Sequence, residues 1–429
     1  MVVLWLRDNV NDGEGKENMK NVISKYVERI EYNNRIILAN YVTGQWIRLE
    51  KEVFNIIDVI LRNDLPLMDI EFEEEKDVAY IREILDDLTN MGIIVECEKE
   101  PIIQNKVASL ELTSRCNLKC IHCCVDATYS MNEKMDSSTE EIKEIFRKLA
   151  KWNPKSIMLS GGEPMLRKDF FELLIYLREI YTGNIILSTN GTFITKSNVG
   201  QLVELVNQFD ISVDGVDEES CAVVRGKGVF KRIMESILLL KERQIININL
   251  SMVIGDNNEY MKKEFELLNE SLGTRPFIRM FSAVGRGEAN KEYFTAKSEG
   301  EVYIPKEYGE VNIDVEDHIC CCSGGSKELF ISNKGDMYPC PGYIDENYKL
   351  GNIFNYNSVE EATWNIDNRV LAHKYKTSEK SMYKKCIKCP VRIFCWSCPA
   401  AIEEIENPDA FAYQCKTIEP ILMKRIWED

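Results

Sequence analysis

Hydrophobic and polar positions in the first hundred residues predict a small unit that mixes strands and helices. Apolar and polar side chains alternate over residues 35–40 and 45–49, as in two neighbouring strands. Apolar residues then recur every three or four positions over residues 51–61 and 78–88, which predicts two amphipathic helices before a short strand at 93–97. Such a unit without a polar cluster favours a binding module, or a cap over the edge of a neighbouring barrel, rather than a catalytic domain.

From about residue 107 to residue 290 the pattern becomes a regular alternation of strands and amphipathic helices. The predicted strands cover residues 108–112, 156–160, 184–189, 209–213, 245–254 and 275–281. The first helix between them begins at Ser138, with Glu141 at the spacing of a capping box. Six strand–helix units predict a parallel sheet curled into a partial (β/α)6 barrel, with its chemistry at the C-terminal ends of the strands.

Beyond about residue 300 the alternation fades into short segments that glycine and proline interrupt. The interrupting residues are Gly335, Pro339, Pro341 and Gly351. A region so poor in regular structure is expected to depend on a metal for its fold. The predicted fold class is therefore α/β in three domains, with an N-terminal α+β domain at 1–100, the barrel at 101–300 and a cysteine-rich domain at 301–429.

Composition and charge narrow the possible partners. The chain has 429 residues and a formal net charge of −17, which opposes a nucleic-acid backbone. Its first residues lack the features of a secretion signal, and its apolar runs are too short to span a membrane. Fifteen cysteines in such a chain favour thiolate ligands in a reducing compartment over disulfides. We expect a soluble cytoplasmic protein without a nucleic-acid or membrane partner.

Three cysteines follow the first barrel strand at the spacing C-x3-C-x2-C. They are Cys116, Cys120 and Cys123. A four-iron cluster needs four ligands, so a set of three thiolates leaves one iron open to an external chelator. On the triplet alone, a zinc site that borrows His122 or Cys124 remains an alternative.

The triplet resembles the signature of the radical S-adenosylmethionine (SAM) superfamily, and Ser-Gly-Gly-Glu-Pro at residues 160–164 resembles the family's second motif. The resemblance implies that Gly161 and Gly162 allow the backbone to approach the methionine amino group of SAM, and that Glu163 supplies negative charge near it. His122 stands at a position that is more often aromatic in the family, and its planar ring still fits beside the cofactor.

Further strand ends fit the same resemblance. Ser188 and Asn190 end the third predicted strand, and Ser212 and Asp214 end the fourth. Their short polar side chains suit the ribose and the methionine carboxylate of SAM. Arg225 is expected to hold that carboxylate by a charge-assisted contact.

The chemistry that the resemblance implies starts from electron transfer to SAM. The reduced cluster cleaves SAM to a 5′-deoxyadenosyl radical, which then removes a hydrogen atom from a C–H bond of the substrate. Residues 285–287, Gly-Arg-Gly, resemble the closing loop of the family and have no role assigned in the core site. A catalytic acid or base is not identified, because the chain has only three histidines: His122, His318 and His373.

A second group of cysteines, near the end of the chain, exceeds the needs of one zinc ribbon. It resembles the SPASM domain, which extends many peptide-modifying radical enzymes and carries two auxiliary four-iron clusters. The second auxiliary cluster is expected on Cys386, Cys389, Cys395 and Cys415. The first is expected on Cys322, Cys340 and Cys398, and its fourth ligand is Cys320, Cys321 or an open position. With the SAM-binding cluster, three [4Fe-4S] clusters are implied.

The N-terminal unit resembles the winged-helix-like recognition element of ribosomal peptide maturases, which captures a leader peptide as an added strand. The candidate edge lies around residues 35–49. The resemblance implies an oxidoreductase that binds the leader of a ribosomally made precursor peptide and cross-links its core. A thioether from cysteine is the first choice of bond, and a carbon–carbon cross-link is the second. A reducing electron donor such as flavodoxin or ferredoxin is implied as a further partner.

Two other function classes stay open. One is a maturase that oxidises a single residue of a large protein, as sulfatase maturases do, although a leader-binding domain argues against it. The other is an iron–sulfur electron carrier without its own turnover. The polar residues at the strand ends count against the carrier, because a carrier needs no site for a sulfonium cofactor.

Overall fold

The computed structural model describes residues 5–6, 21–64, 70–71, 75–96, 106–127, 136–295, 319, 324–325, 327–344, 346–363, 381–395 and 408–428. The chain divides into two compact units. The first unit contains residues 1–103, 300–322 and 371–429, and the second contains residues 104–299 and 323–370. The first unit therefore combines segments from the predicted first and third domains.

Strands and helices are numbered separately along the chain. Strands β1 to β16 cover Trp5–Leu6, Asn21–Ile23, Val27–Tyr32, Arg35–Asn40, Trp46–Glu50, Ile70–Glu71, Ile94–Glu96, Val107–Thr113, Ser156–Gly161, Asn184–Thr189, Gln208–Ser212, Ile248–Ile254, Arg275–Met280, Glu328–Ile331, Asp336–Tyr338 and Gly351–Asn352. Helices α1 to α11 cover Lys51–Asn63, Glu75–Asn90, Thr139–Trp152, Phe170–Ile180, Val199–Leu205, Glu218–Arg225, Val229–Glu242, Lys262–Leu272, Lys291–Phe294, Val359–Thr363 and Pro408–Met423. Short 3-10 turns cover Pro164–Leu166, Glu259–Met261, Gly285–Asn290, Glu346–Tyr348, Ile353–Asn355 and Ser381–Lys388, and a π-helical turn covers Lys424–Glu428.

In the first unit, β3, β4 and β5 form an antiparallel sheet with β4 at its centre. The predicted strands at 35–40 and 45–49 and both predicted helices are confirmed. The prediction of an exposed strand edge is wrong for β4, because β4 pairs with a strand on each side. Among the described residues, the outer edges of this sheet belong to β3 and β5. The sequence pattern did not indicate β3, whose apolar residues do not follow the two-residue period of a strand.

Both faces of this sheet are buried. Ile36, Leu38 and Leu49 pack with the apolar stripe of α1 and α2 on one face. Ile30, Ile37 and Ala39 belong to a second apolar cluster, whose other members come from the C-terminal segments: Ile319, Val391, Ile393, Phe394, Ile418, Leu422, Ile426 and Trp427. Because successive strand residues point to opposite faces, Ile36 and Ile37 contribute to different cores.

The second unit contains six parallel strands in the order β13-β12-β11-β10-β9-β8. Strand β14 extends this sheet in parallel beside β8, and β15 and β16 follow antiparallel. The predicted partial barrel is confirmed, and its strand bounds differ from the predicted ones by at most three residues. The predicted capping box at Ser138 and Glu141 also begins α3.

Successive side chains along the barrel strands point alternately into the apolar core and toward the opposite face of the sheet. On β8, Leu110 and Leu112 are buried in the core shared with the surrounding helices. The intervening Glu111 and the following Thr113 therefore lie on the opposite face of the sheet. None of the helices in the described part of the chain is long and apolar enough to span a membrane.

Candidate active site

Cys116, Cys120 and Cys123 lie on the loop directly after β8, at the strand end where a barrel concentrates its chemistry. Each sulfur has an N–H donor close to it. The donor–sulfur distances are 3.4 Å from Leu118 N to Cys116, 3.7 Å from Arg225 Nη1 to Cys120 and 3.3 Å from Ala127 N to Cys123. Hydrogen bonds to sulfur stabilise thiolates and tune iron–sulfur clusters, so this loop fits three cluster ligands.

Burial keeps two of these groups as neutral thiols unless a metal binds them. Burial raises the pKa of the Cys116 thiol to about 11, and it also raises the pKa of Cys120. A bound metal removes such a proton outright. No group of three or more His, Cys, Asp or Glu side chains in the described ranges is spaced to hold a single metal ion. The thiolates of a four-iron cluster stand further apart, because each binds a different iron.

His122 contacts a carboxylate and an aromatic side chain. Its Nε2 lies 2.7 Å from Oδ2 of Asp214, and its ring packs edge-on against Phe294. A zinc site that borrows His122 would have to use Nδ1, because Nε2 is in contact with Asp214. The planar ring of His122 therefore lies between the carboxylate of Asp214 and the ring of Phe294.

Gly161 and Gly162 bring the end of β9 against the backbone that leads into the cysteine loop. A Cβ at Gly161 would lie 2.3 Å from the carbonyl oxygen of Thr113, and one at Gly162 would lie 2.2 Å from that of Arg115. Gly162 N also donates to Thr113 O at 2.7 Å. The structure thus explains the glycine pair by strand-to-loop packing, and approach to the cofactor stays a prediction.

Glu163 is fully buried and accepts hydrogen bonds from the end of β10. Its carboxylate oxygens accept from the Thr189 hydroxyl at 2.8 and 2.9 Å and from the Asn190 backbone N–H at 2.9 Å. Burial raises the pKa of Glu163 to about 7, although these donors oppose the rise. The described contacts connect two strand ends, and the predicted contact with the amino group of SAM stays a prediction.

Asp214 and Arg225 form a buried ion pair beside the cysteine loop. Burial alone would raise the pKa of Asp214, but Arg225 and His122 hold it far below its usual range. Arg225 also approaches Cys120, and its Nε is buried without a hydrogen-bond partner in the described structure. Because a buried unpaired donor is costly, this N–H fits a ligand acceptor such as the predicted cofactor carboxylate.

Of the other predicted cofactor residues, Asn190 contacts the cysteine loop, whereas Ser188 and Ser212 lie at strand ends. Asn190 Nδ2 donates to Asn117 Oδ1 at 2.8 Å and lies 3.8 Å from Cys116 Sγ. Ser212 Oγ accepts from Ser251 Oγ at 3.2 Å and from Arg279 Nη2 at 3.4 Å. Ser188 is half-buried near the end of β10. The structure therefore brings Asn190 and Arg225 to the cysteines and places the serines on strand ends.

Sequence reasoning left out Arg286, which fastens the cysteine loop to the loop after β13. Its backbone N–H donates to Cys123 O at 2.9 Å, and its guanidinium donates to Cys120 O at 2.9 Å and Ala127 O at 2.8 Å. Asn290 adds a bond to Ile121 O at 3.1 Å. The Gly-Arg-Gly resemblance was the available signal, but the sequence alone does not show which carbonyls the arginine meets.

The C-terminal cysteines are described only in part. Burial raises the pKa of Cys386 to about 11, with further contributions from the neighbouring thiols Cys389 and Cys415. Cys415 Sγ lies 3.5 Å from Glu419 Oε2. Cys395 is half-buried in the same unit, and Cys340 is half-buried after β15 in the second unit. The remaining predicted ligands lie outside the described residues: Cys320, Cys321, Cys322 and Cys398.

Family models match two regions of the chain. Residues 110–268 match the radical SAM superfamily, and residues 321–390 match SPASM, an iron–sulfur cluster-binding domain. Mycofactocin maturase MftC of Mycolicibacterium smegmatis is 28% identical over 262 residues, which are 57% of this chain and 66% of the maturase, slightly under two thirds of its length. An AdoMet-dependent heme synthase of Methanosarcina barkeri is 27% identical over 329 residues, which are 69% of this chain and 91% of the synthase.

Solved structures show the same fold. Streptococcus suis SuiB bound to its precursor peptide SuiA is 15% identical, with a TM-score of 0.54 over 90% of this chain and 98% of SuiB. At this identity the likeness supports the fold alone. The two family matches therefore identify a radical SAM domain at residues 110–268 and an SPASM iron–sulfur cluster-binding domain at residues 321–390 of this chain.

Proposed function

We propose that this protein is a peptide-modifying radical SAM oxidoreductase that acts on a ribosomally made precursor peptide. The main observation behind the proposed chemistry is the cysteine loop, in which each of three sulfur atoms has an N–H donor close to it. Beside this loop lies a buried arginine with an unpaired N–H. Support for the substrate class comes from MftC, which is named a maturase, and from SuiB, which has been solved with a precursor peptide.

Bound iron–sulfur cluster and SAM would supply the reducing electron and the 5′-deoxyadenosyl radical. The chain's own residues would orient the cofactor. Arg225 would offer its unpaired Nε–H to the cofactor carboxylate, and Asp214 holds the guanidinium through the buried ion pair. Arg286 fixes the loop that carries the thiols. Burial of Asp214 and Arg225 keeps water from this side of the site, which limits quenching of a radical.

The leader peptide is proposed to bind along the outer edge of β5. This strand lies within the predicted segment, and β4 is its only strand partner among the described residues. An unpaired edge presents backbone N–H and C=O groups that an extended peptide can pair with. β4 itself is not available, because β3 and β5 occupy both of its edges.

The bond formed is proposed to be a thioether from a cysteine of the core peptide, with a carbon–carbon cross-link as the second choice. Three [4Fe-4S] clusters are proposed, one on Cys116, Cys120 and Cys123 and two in the C-terminal region. A flavodoxin or ferredoxin is the proposed electron donor. Oxidation of one residue in a large protein ranks below these choices, because it needs no leader-binding edge.

The test combines anaerobic reconstitution with a product assay on the peptide encoded beside the gene. We expect about twelve irons per chain, formation of 5′-deoxyadenosine, and a mass loss of about two hydrogens in the peptide for each cross-link. A Cys116, Cys120, Cys123→Ala variant should lose about four irons and all cleavage of SAM. Zinc in place of iron, or no cleavage by the parent protein, would refute the radical assignment.

The heme synthase relative supplies a contrasting substrate class. The aligned residues cover nearly all of that synthase but leave about a third of this chain unmatched. An assay with iron porphyrin in place of peptide separates the two. Porphyrin conversion without peptide modification would refute the peptide proposal while leaving the SAM chemistry intact. Cleavage of SAM that neither substrate stimulates would contradict both substrate classes.

A further inference from the structure

We propose that the Glu28–Arg392 ion pair positions the loop between Cys389 and Cys395, so that the β3–β5 sheet forms one wall of the second auxiliary cluster's site. Loss of that cluster would then lower the protection of the sheet's amides against hydrogen exchange. The inference rests on the proposed assignment of the C-terminal cysteines to this cluster. It does not require that the sheet binds a peptide. All the residues involved belong to the first unit.

The ion pair connects the sheet directly to the backbone of a cysteine ligand. Arg392 Nε lies 2.5 Å from Glu28 Oε1 on β3, and both side chains are less than a fifth exposed. The same guanidinium donates through Nη1 to the carbonyl oxygen of Cys389 at 3.0 Å. The second oxygen of Glu28 accepts from the Tyr41 hydroxyl. Arg392 is thus held by two acceptors, one on the sheet and one on the cysteine loop.

The loop between Cys389 and Cys395 also packs against the sheet through apolar side chains. Val391, Ile393 and Phe394 are all buried in the cluster that contains Ile30 and Ile37 of the sheet. Phe394 meets the Trp46 ring edge-on, with 4.8 Å between ring centroids. Cys389 and Cys395 pack against this cluster as partly buried residues. The two cysteines therefore flank a segment whose position the sheet determines.

The segment after Cys415 is attached to the sheet as well. Arg35 Nη1 on β4 donates to Trp427 O at 2.9 Å, and Arg48 on β5 donates to Ile426 O. Trp427 packs on Tyr32 of β3, and its indole N–H donates to Pro390 O at 3.2 Å. These contacts join all three strands to the C-terminal π-helical turn and to the loop that begins at Cys389.

The loop itself has little regular structure to hold it without metal. Residues 381–388 form a 3-10 turn, and the following residues to Cys395 form only turns. Ligand loops of this kind take their stability from the metal they bind. If the loop leaves the sheet, Glu28 loses its cationic partner and buried apolar side chains are exposed to water. Loss of the cluster should therefore loosen β3 and β4.

The experiment uses full-length protein, reconstituted anaerobically and compared with the same protein stripped of iron by a chelator. Hydrogen exchange is followed in residues 27–32 and 386–395, with β10 in the barrel as the internal reference. We expect both segments to exchange at least about tenfold faster without iron, while β10 is unchanged. Glu28→Gln and Arg392→Gln should each lower the iron content by up to about four per chain and weaken the low-temperature EPR signal of the second auxiliary cluster.

The charge-swapped Glu28→Arg, Arg392→Glu double variant restores the ion pair but not the bond to Cys389 O, so it should recover part of the iron and of the EPR signal that either single variant loses. A general loss of folding would allow no such recovery. The matched control is Glu31→Gln, because Glu31 is on the same strand but pairs with the exposed Lys51 and Arg29. Unchanged protection of residues 27–32 after iron removal, with parental iron content in Glu28→Gln, would overturn the proposal. No peptide is used, so a failure of the peptide function would not affect these readouts.

Discussion

Single residues in this site are constrained by backbone packing beneath the cysteine loop. Gly162 N donates to Thr113 O, and Glu163 N donates to Arg115 O at 2.8 Å. The end of β9 therefore runs directly under the residues that precede Cys116. A side chain at Gly162 has no room, because its Cβ would overlap the carbonyl of Arg115. The glycine pair is needed to place the first cysteine.

We predict that Gly162→Ala displaces this loop and impairs assembly of the SAM-binding cluster. The overlap should cost about 1–3 kcal/mol of unfolding free energy, since backbone atoms cannot yield as a flexible side chain can. Thermal unfolding and iron content after reconstitution measure the two effects. Gly200→Ala is the matched control, because its nearest neighbour would be the end of the Arg243 side chain at 3.6 Å. Full cluster content in Gly162→Ala would contradict the prediction.

Glu163 should give the protein a pH-dependent stability. Its pKa in the folded state is raised by burial from 4.5 to about 7, so the folded state holds a proton that the unfolded state releases. The stabilising contribution is present below about pH 4.5 and is lost as pH rises through about 7, a change of about 3 kcal/mol.

Glu163→Gln removes the ionisable group, so the fall in stability between pH 5 and pH 8 should be smaller in this variant by about 2–3 kcal/mol. Urea unfolding of the protein without cofactor at the two pH values measures the difference. Glu172→Gln, an exposed substitution in α4, serves as the control. Parallel pH profiles for the parent and Glu163→Gln would show that the carboxylate titrates normally.

The sequence indicated candidate ligands of the site but not their protein partners. The spacing of Cys116, Cys120 and Cys123 together with the Ser-Gly-Gly-Glu-Pro resemblance indicated an iron–sulfur site, whereas the triplet alone left a zinc site open. It did not indicate that Asp214 neutralises Arg225 or contacts His122, because these residues are separated in sequence and meet only when the strands align. Long-range pairs of this kind carry no local signal.

Among the elements, the loop after β13 acts as a clamp on the cysteine loop. Arg286 donates to three carbonyls, and Gly285 has a positive φ of 57° where its Cβ would lie 2.4 Å from Cys124 O. The two loops follow the first and last parallel barrel strands, and the clamp joins them across the mouth of the barrel. We infer that it sets the distance of the cluster from the cofactor residues.

We predict that Arg286→Lys lowers the rate of SAM cleavage by about tenfold or more while leaving most of the cluster in place. Lysine is a point charge and cannot reproduce the two-pronged contact with Cys120 O and Ala127 O. The rate of 5′-deoxyadenosine formation and hydrogen exchange in residues 120–127 measure the effect. Arg275→Lys is the control, because the Arg275 side chain, at the other end of β13, donates one hydrogen bond, to Asn247, among the described residues. Equal rates in the two variants would argue against a clamp.

Element prediction succeeded where periodicity was strong and failed where it was weak. The barrel strands and helices were found because their buried faces repeat regularly. β3 was missed because Glu28, Arg29 and Glu31 interrupt its apolar residues. Two of these charges have specific tertiary partners, Arg392 for Glu28 and Lys51 for Glu31, which a sequence pattern cannot show.

At the scale of the whole molecule, the chain forms two compact units, and each unit combines segments that are far apart in the sequence.

We predict that Phe394→Ala destabilises the first unit by about 3–5 kcal/mol and has little effect on the second, because Phe394 fills the core between the sheet and the C-terminal segments. Hydrogen exchange should rise in β3 and β4 but not in β9 or β10. The control is Tyr413→Ala, an aromatic residue of α11 that is 63% exposed. Equal loss of protection in both units would show that they unfold as one.

The shared core of the first unit also sets an order of events during synthesis. Residues 27–50 leave the ribosome early, but the side chains that cover one face of their sheet extend to Trp427. The barrel, whose six parallel strands end at residue 280, is complete long before that point. A sheet that waits for partners almost 400 positions away exposes Ile30, Ile37 and Ala39 throughout translation. We therefore expect chaperone binding to the nascent N-terminal segment, and iron delivery to the proposed second auxiliary cluster only after Cys415 has been made.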